Sequence, residues 1–167
     1  KGSAKPNKSY SAEKALDRFD KIRHSKGNIL PASIRLKMQK SMQKYCSVFR
    51  TGEGLKAGNK EMENIYAEFS NIGVKDKSLI WNTDLLESLE LENLIQQSLV
   101  TIKSAENRKE SRGAHARDDF KERDDKNWLF HSLSWLDKNN VKLGSRPVTL
   151  RAMSNEVQSF PPKERVY

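Results

Sequence analysis

A long segment rich in apolar residues runs from Ser78 to Asn107, with the sequence SLIWNTDLLESLELENLIQQSLVTIKSAEN. It contains neither Gly nor Pro, so no residue in it is expected to interrupt a helix. Its apolar side chains are too numerous for one narrow stripe, which predicts burial on more than one side. Such a helix is about 45 Å long, enough for two shorter antiparallel helices to pack along it. The side expected to be buried consists of Leu79, Leu86, Leu89, Leu94, Ile95, Leu99, Ile102 and Ala105, widened by Leu85 and Leu91.

Three shorter amphipathic helices are predicted before this stretch. The first, over 11–24, has one narrow apolar stripe. The second, over about 32–50, follows Pro31, whose missing N–H suits a first helical turn. The third covers about 54–70 and ends before Gly73. The stripe of the second helix consists of Ile34, Met38, Met42, Tyr45 and Phe49, with Cys46 beside them.

The character of the sequence changes after Asn107. Between Arg108 and Asp125 there are six basic and six acidic side chains. The alternation over 128–136 and the run 141–148, separated by a polar turn, then predict a β hairpin. Pro147 indicates that the far end of this hairpin is an edge, because proline cannot donate to a sheet.

These patterns predict a mainly α fold. It is an antiparallel three-helix bundle followed by a charged loop, a small β hairpin and an irregular C-terminal tail. The predicted division is a linker with a short helix over 1–26, the bundle over 27–108, a charged docking segment over 109–126, and the hairpin with the tail over 127–167.

Length and composition exclude several classes of protein. The 167 residues suit one domain and are too few for a dinucleotide-binding domain plus a substrate domain. No apolar run approaches the roughly 20 residues of a membrane-spanning helix. Cys46 is the only cysteine, so an internal disulfide is impossible. Because the sequence starts at Lys1, we expect either a processed protein or a piece of a larger one.

The net charge of +9 suggests an acidic partner, but the charge is unevenly distributed. Residues 1–50 carry 13 basic and 3 acidic groups, whereas residues 51–106 carry 5 and 10. The aromatic side chains of the Lys-rich half lie on the apolar stripe and are not interleaved with the charges, as nucleic-acid stacking would require. We therefore keep an independent basic helical adaptor, which binds nucleic acid or anionic lipid, only as the alternative hypothesis.

Motifs for catalysis or cofactor binding are weak. Gly52, Gly54 and Ala57 have the spacing of a dinucleotide-binding loop, but the segment before them is predicted to be a helix and not a buried strand. The three histidines lack a helical i, i+4 spacing, so no metal site is predicted. Cys46 is interpreted as a small core residue. We expect no catalytic, cofactor-binding or metal-binding residue on this chain.

The charge-dense segment favours a different role. Its near-neutral sum makes it poor at attracting a polyanion, and burying so many charges is costly unless they are paired. It is therefore interpreted as a docking surface or an ionic network between domains, with an exposed polyampholyte loop as the alternative.

The same segment carries a family resemblance. Residues Glu110–Phe120, ESRGAHARDDF, followed by Glu122–Asp125, Trp128 and His131–Leu133, resemble the C-terminal region of the succinate dehydrogenase (respiratory complex II) flavoprotein family. Fumarate reductase flavoproteins share the Ser-Arg-Gly-x-His core. The resemblance covers about 27–167 and includes Met38–Gln43, Val48–Arg50, Trp81–Leu85, Glu87, Leu89–Leu94, Arg146–Pro147 and Pro161–Tyr167.

The resemblance implies a role in succinate oxidation to fumarate, with electron transfer through an iron–sulfur subunit to quinone. It implies FAD on a partner flavoprotein chain, iron–sulfur clusters on the adjacent subunit, membrane-anchor subunits as indirect partners, and no nucleic acid. The family's flavin-binding and catalytic motifs lie upstream of this region, so the chain is an enzyme only as part of the complex. The expected location is the matrix side of the mitochondrial inner membrane, or alternatively the cytoplasmic face of a bacterial inner membrane.

The chain thus resembles one piece of a divided flavoprotein, whether the division is genetic, proteolytic or made by design. We expect an ionic network to hold it against the flavin-binding part, with apolar anchoring by Trp128, Trp135 and Tyr167. The residues assigned to this docking network are Arg108, Glu110, Arg112, His115, Arg117, Asp118, Asp119, Arg123, Asp124, Asp125 and Trp128.

Overall fold

The computed structural model describes residues 10–137, 140–158, 160 and 163. Within them the helices are α1 (Tyr10–Arg23), α2 (Pro31–Tyr45), α3 (Gly52–Phe69), α4 (Thr83–Asn107) and the single turn α5 (Asp125–Trp128). The strands are β1 (Phe49–Arg50), β2 (Ala116–Arg117), β3 (Phe130–Asp137) and β4 (Asn140–Pro147). The prediction of a mainly α protein is confirmed.

The core lies where α2, α3 and α4 pack against one another. Each helix contributes side chains from one face, and removing them from water is the main term that stabilises the assembly. The completely buried apolar side chains are Ile34 from α2, Leu55 and Met62 from α3, and Leu91, Ile95 and Ile102 from α4. Cys46 joins this core, as predicted.

The long helix begins at Thr83 and not at Ser78, so the predicted start was wrong. Asn82 caps it, because its side-chain oxygen accepts a hydrogen bond from the backbone N–H of Leu85 at 2.8 Å. Trp81 has a φ of 52°, which no helical residue has. Because Asn82 caps the helix at this point, the apolar residues before it lie outside the helix.

The buried face of α4 also differs from the predicted one. Leu79, Leu86 and Leu94 are exposed, whereas Leu85 and Leu91 are buried. The observed face keeps an uninterrupted spacing of three and four residues, which matches the grooves of two neighbouring helices. It consists of Leu85, Ser88, Leu91, Ile95, Leu99, Ile102 and Ala105.

The second helix ends at Tyr45 and not near residue 50. Its C-terminal cap, Cys46, leaves helical geometry with φ −132°, and the chain then extends into β1. Phe49 and Arg50 pair in parallel with Ala116 and Arg117. Phe49 is consequently exposed and does not belong to the apolar stripe. After this helix the chain pairs with residues far along the sequence, and local periodicity does not show such a partner.

The predicted hairpin is confirmed, with its first strand starting two residues later than expected. β3 and β4 pair antiparallel from Phe130 opposite Pro147 to Asp137 opposite Asn140. Both strands contact α4. Residues 148–158 follow without helix or strand, as expected for an irregular tail, whereas Tyr167 lies outside the described residues.

Candidate functional site

The charged segment folds into a compact loop beside the end of α4. Glu110 is its centre, because its side chain is completely buried. Arg112 forms a bidentate ion pair with this carboxylate: Nε donates to Oε1 at 2.8 Å and Nη2 donates to Oε2 at 3.0 Å. Arg108 forms a short ion pair with the same carboxylate, and the backbone N–H of Asp124 donates to it at 2.9 Å. Every buried oxygen of Glu110 is therefore satisfied.

These contacts decide the ionisation of Glu110. Burial alone raises the pKa of this carboxyl group, but the hydrogen bonds from Arg112, Asp124 and Arg108 together outweigh burial. The pKa of Glu110 is therefore lowered, and the group is a carboxylate at neutral pH. A buried carboxylate held by two guanidinium groups is a structural arrangement, not that of a general acid or base.

The cluster continues to the surface through Arg112. Its Nη2 atom also donates to Oδ1 of Asp125 at 2.6 Å, and Arg123 pairs with the other oxygen of Asp125 at 3.0 Å. The Arg112 side chain is 28% exposed and that of Asp125 39%. The hydrogen bond from Arg112 lowers the pKa of Asp125. This end of the cluster is the one that solvent, or another protein, can reach.

Arg108 fastens the hairpin to the end of α4. Its guanidinium donates to the carbonyl oxygens of Trp128 at 2.9 Å and Phe130 at 2.8 Å, and to the hydroxyl of Ser132 at 3.0 Å. It also lies over both aromatic rings, 5.5 Å from the centroid of Trp128 and 5.1 Å from that of Phe130. One side chain thus connects the bundle, Glu110 and the start of β3.

A second cluster joins two helix ends through Arg117 and Asp119. The nearly inaccessible Arg117 donates from Nη1 to the carbonyl oxygens of Ala105, Glu106 and Arg108 at 3.1–3.2 Å. These carbonyls stand at the end of α4, where they lack helical partners and carry partial negative charge. Arg117 therefore caps α4 at its C-terminus.

Asp119 caps the N-terminus of α3. It accepts hydrogen bonds from Nε and Nη2 of Arg117, both at 2.7 Å, and from the backbone N–H of Gly52 at 2.9 Å. The bond from Arg117 is the main reason why the pKa of Asp119 falls to about 2. A carboxylate at the start of α3 and a guanidinium at the end of α4 match the opposite ends of the two helix dipoles.

His115 lies in a third contact, with a residue that the sequence did not indicate. Its Nδ1 atom is 2.8 Å from Nη1 of Arg50, and its Nε2 atom is 3.1 Å from the carbonyl oxygen of Arg108. Because Arg50 can only donate, Nδ1 must accept and Nε2 must carry the proton. Burial lowers the pKa of His115, the bond to Arg108 opposes this shift, and the charges of Arg50 and Arg117 add to the lowering.

A tight turn brings His115 into place. The backbone groups of Arg112 and His115 exchange two hydrogen bonds, of 2.9 and 3.1 Å. Gly113 inside the turn has φ 58°, a conformation that glycine adopts without the steric penalty of a side chain. Gly113 thus allows the chain to reverse direction between Arg112 and His115.

The remaining predicted docking residues lie nearer the surface. Asp118 is exposed and connects to β1 by its backbone N–H, which donates to the carbonyl oxygen of Arg50 at 2.9 Å. Asp124 caps α5 by accepting from the backbone N–H of Asn127 at 3.0 Å. Trp128 is half-buried against Phe130, whereas Trp135 is 53% exposed.

Sequence reasoning missed Arg50, Gly52 and Ser111. The hydroxyl of Ser111 accepts from the backbone N–H of Arg117 at 2.8 Å and donates to the carbonyl oxygen of Phe120 at 2.8 Å. The sequence pattern indicates Gly52 only as part of a possible phosphate loop, and Arg50 only as the end of a helix. All three act through neighbours more than five residues away in sequence, so a local motif does not show which groups they contact.

The glycine loop does not fit a dinucleotide. Gly52 and Gly54 lie in the first turn of α3, but the side chain of Asp119 binds the N–H of Gly52 and that of Thr51 binds the N–H of Gly54. The backbone donors that would bind a phosphate are thus already used, and a carboxylate beside them would repel it. These glycines begin α3 after the two-residue strand β1, and not after a helix as predicted.

In the part of the chain that the structure describes, no group of three or more His, Cys, Asp or Glu side chains is placed to hold a metal ion. In the same residues, no helix is both long and apolar enough to cross a membrane.

Comparison with known proteins gives concordant matches. A family model described as "Fumarate reductase flavoprotein C-term" matches residues 35–167. The succinate dehydrogenase flavoprotein subunit of Rickettsia bellii is 54% identical over 164 residues, which are 98% of this chain and 28% of that subunit. The mitochondrial succinate dehydrogenase (ubiquinone) flavoprotein subunit of Oryza sativa subsp. japonica is 46% identical over 98% of this chain and 26% of that subunit.

A solved structure agrees in fold. E. coli quinol fumarate reductase aligns with a TM-score of 0.85 and 29% identity, over 99% of this chain and 28% of that chain. The chain therefore spans less than a third of the length of the relatives that it matches. Because the family model matches most of its residues, this chain belongs to the fumarate reductase and succinate dehydrogenase flavoprotein C-terminal family.

Proposed function

We propose that this chain is the C-terminal part of a succinate dehydrogenase flavoprotein. In this role it docks on the flavin- and succinate-binding part and supports oxidation of succinate to fumarate with electron transfer to quinone. The observation that carries the proposal is 54% identity over 98% of the chain to a succinate dehydrogenase flavoprotein subunit of which it covers only 28%. The relatives give no support to the alternative of a nucleic-acid or lipid adaptor.

The contribution of this chain to the reaction is structural. FAD belongs on the flavin-binding part and iron–sulfur clusters on the adjacent subunit, and no residue here is assigned to either. The ion pairs around Glu110 and Arg117 connect α3, α4 and the hairpin to one another. A surface shaped in this way presents a preformed face to a partner, which lowers the entropic cost of association.

The docking face that we propose is the one predicted from the charged segment. Its inner members hold the loop in shape, and its outer members are available for contact across the interface. Arg123 and Asp125 pair at the surface, and Asp118 is exposed beside β1. Trp135 is a half-exposed apolar side chain on β3. The full set remains Arg108, Glu110, Arg112, His115, Arg117, Asp118, Asp119, Arg123, Asp124, Asp125 and Trp128.

The finer architecture belongs to the same proposal. We infer that α2, α3 and α4 form an antiparallel bundle, a proposal supported by their mutual packing and by the short connection between α2 and α3. The proposed division remains 1–26, 27–108, 109–126 and 127–167.

The proposed location is the matrix side of the mitochondrial inner membrane, with the cytoplasmic face of a bacterial inner membrane as the alternative. The rice relative is mitochondrial and the rickettsial relatives are bacterial. The proposed neighbours are the flavin-binding part, the iron–sulfur subunit and, indirectly, the membrane-anchor subunits.

Mass spectrometry of the native assembly that contains this chain tests the proposal. The expected result is a complex with an FAD-bearing polypeptide and an iron–sulfur subunit. Recovery of the chain without either component would refute the proposed function. Recovery with nucleic acid, released steeply by salt, would instead favour the adaptor hypothesis.

A further inference from the structure

An exposed apolar corner precedes α4. It consists of Leu79, Ile80 and Trp81, whose exposed fractions are 64%, 77% and 95%. Single exposed apolar residues are ordinary, but three in succession on a protein surface indicate a site that another molecule covers. The docking network described above does not include these residues.

The corner is held in a defined conformation by polar groups. The backbone N–H of Ser78 donates to the carboxylate of Asp76 at 2.8 Å, and the side chain of Asn82 donates to the carbonyl oxygens of Asp76 and Ser78 at 2.8 and 2.9 Å. Asn82 also caps α4. The apolar side chains are therefore presented from an ordered turn.

Trp81 is held in a conformation that does not favour tryptophan. Its φ of 52° lies in the left-handed region, where glycine and asparagine are common and bulky residues are rare. With 95% of its surface exposed, the ring gains almost no packing inside this chain to offset that strain. Unfavourable backbone geometry of this kind occurs where function requires it.

The corner adjoins the helix that leads toward the rest of the flavoprotein. Nε of Arg23, at the end of α1, donates to the carbonyl oxygen of Lys77 at 2.6 Å, and Nζ of Lys77 donates to the carbonyl oxygen of Ser25 at 2.8 Å. The end of α1 and the loop that carries the corner are thus one connected surface.

The part of the relatives that this chain does not match is large enough to reach the corner. It is more than twice as long as this chain. A compact body of about 400 residues has a radius of gyration of about 21 Å. The 14 residues of α1 span a similar length, about 21 Å. The unmatched part is therefore large enough to reach from the start of α1 to the loop at its end, which carries Trp81.

We propose that the apolar corner inserts into an apolar pocket on the flavin-binding part of the flavoprotein, with Trp81 as the anchor. This inference rests on the proposed function. The proposed contact is apolar and is additional to the ionic docking face. Trp81 is the expected anchor because tryptophan is among the side chains that contribute most to binding when fully desolvated.

Photo-crosslinking in the assembled flavoprotein tests the inference. Trp81 is replaced by benzoylphenylalanine, the complex is irradiated, and linked peptides are identified by mass spectrometry. The same replacement at Leu36, an exposed apolar residue of α2, is the matched control. We expect links from position 81 to the flavin-binding part, at higher yield than from position 36. Links to a second copy, to the iron–sulfur subunit or to no protein would overturn the inference.

Substitution separates an anchoring role from a structural one. Trp81→Gly removes the ring and suits the positive φ, so the assembly should dissociate on dilution at least about 30-fold more readily, while the helical content of this chain is kept. Leu36→Ala should leave dissociation unchanged. Equal dissociation of Trp81→Gly and the unmodified complex would overturn the corner contact and leave the proposed function standing. Failure of the unmodified chain to associate with the FAD-bearing part would refute both.

Discussion

Arg117 and Asp119 form a two-pronged ion pair that connects the end of one helix to the start of another. The two N–O distances are both 2.7 Å. The third nitrogen of Arg117 caps the last carbonyls of α4, and the carboxylate of Asp119 receives the first free N–H of α3. Arg117 and Asp119 thereby connect the start of α3 to the end of α4, which are more than 50 residues apart in sequence.

Replacing Arg117 should strongly destabilise the fold. Arg117→Ala leaves the carbonyls at the end of α4 uncapped and the partly exposed Asp119 without its cation. Leaving buried polar groups unsatisfied costs about 1–3 kcal/mol. Urea titration followed by circular dichroism measures the free energy of unfolding. Lys121→Ala, at an exposed position of the same loop, should change it by less than about 0.5 kcal/mol. Similar values for both variants would contradict the capping role.

Removing the charge of Glu110 should also be costly, although the shape is preserved. Glu110→Gln leaves Arg108 and Arg112 sharing a neutral amide, so we expect a loss of about 2–4 kcal/mol in unfolding free energy. Glu122→Gln changes an exposed carboxylate of the same segment and serves as the control. The buried network would be wrong if calorimetry gave the same unfolding temperature for the two variants.

Arg112→Ala should weaken attachment to the flavin-binding part. It disconnects buried Glu110 from surface Asp125, so the docking face loses its shape as well as a charge. The measurement is the FAD content of the purified assembly and the yield of the complex. Lys126→Ala, at an exposed neighbouring position, should keep both values. Full assembly and full flavin content with Arg112→Ala would refute the docking network.

Stability should depend on pH through His115. Its pKa is lowered in the folded protein, so the unfolded chain takes up a proton first as the pH falls through about 6.5. Stability is therefore complete above that pH and decreases until the pKa of the folded state is passed. The nearby guanidinium groups of Arg50, Arg108 and Arg117 all disfavour the protonated ring.

Urea titrations between pH 5 and 8, a range of about three units around the usual histidine pKa, measure this dependence. His115→Gln should flatten the curve in that range, whereas His131→Gln, at an exposed position of β3, should not. An unchanged curve for His115→Gln would show that another group is responsible.

Asp119 should control stability in acid. Its pKa of about 2 lies below the ordinary value of 3.8 for an aspartate. The stabilisation by its charge is therefore present above about pH 4 and is lost as the pH falls toward 2. Asp119→Asn should reduce the steepness of acid unfolding, monitored by circular dichroism, whereas Asp118→Asn should not. Equal acid transitions in the two variants would contradict the prediction.

The helical class, the hairpin and the family resemblance all follow from local sequence patterns. The apolar spacing in α1, α3 and α4 and the alternation in β3 are local signals, because each follows from the geometry of a single element. The motif around Glu110–Asp119 was recognisable for the same reason, since its residues are consecutive.

The end of α2, the buried face of α4 and the partner of each charge depend on packing between distant parts of the chain. The end of α2 depends on the pairing of Phe49 with Ala116, 67 positions later in the chain. Arg50 joins His115 over a similar separation, and Gly52 joins Asp119. Periodicity reports the preference of one element for being half-buried. It carries no information about which distant partner supplies the burial or the hydrogen bond, because that partner is chosen by packing of the whole chain.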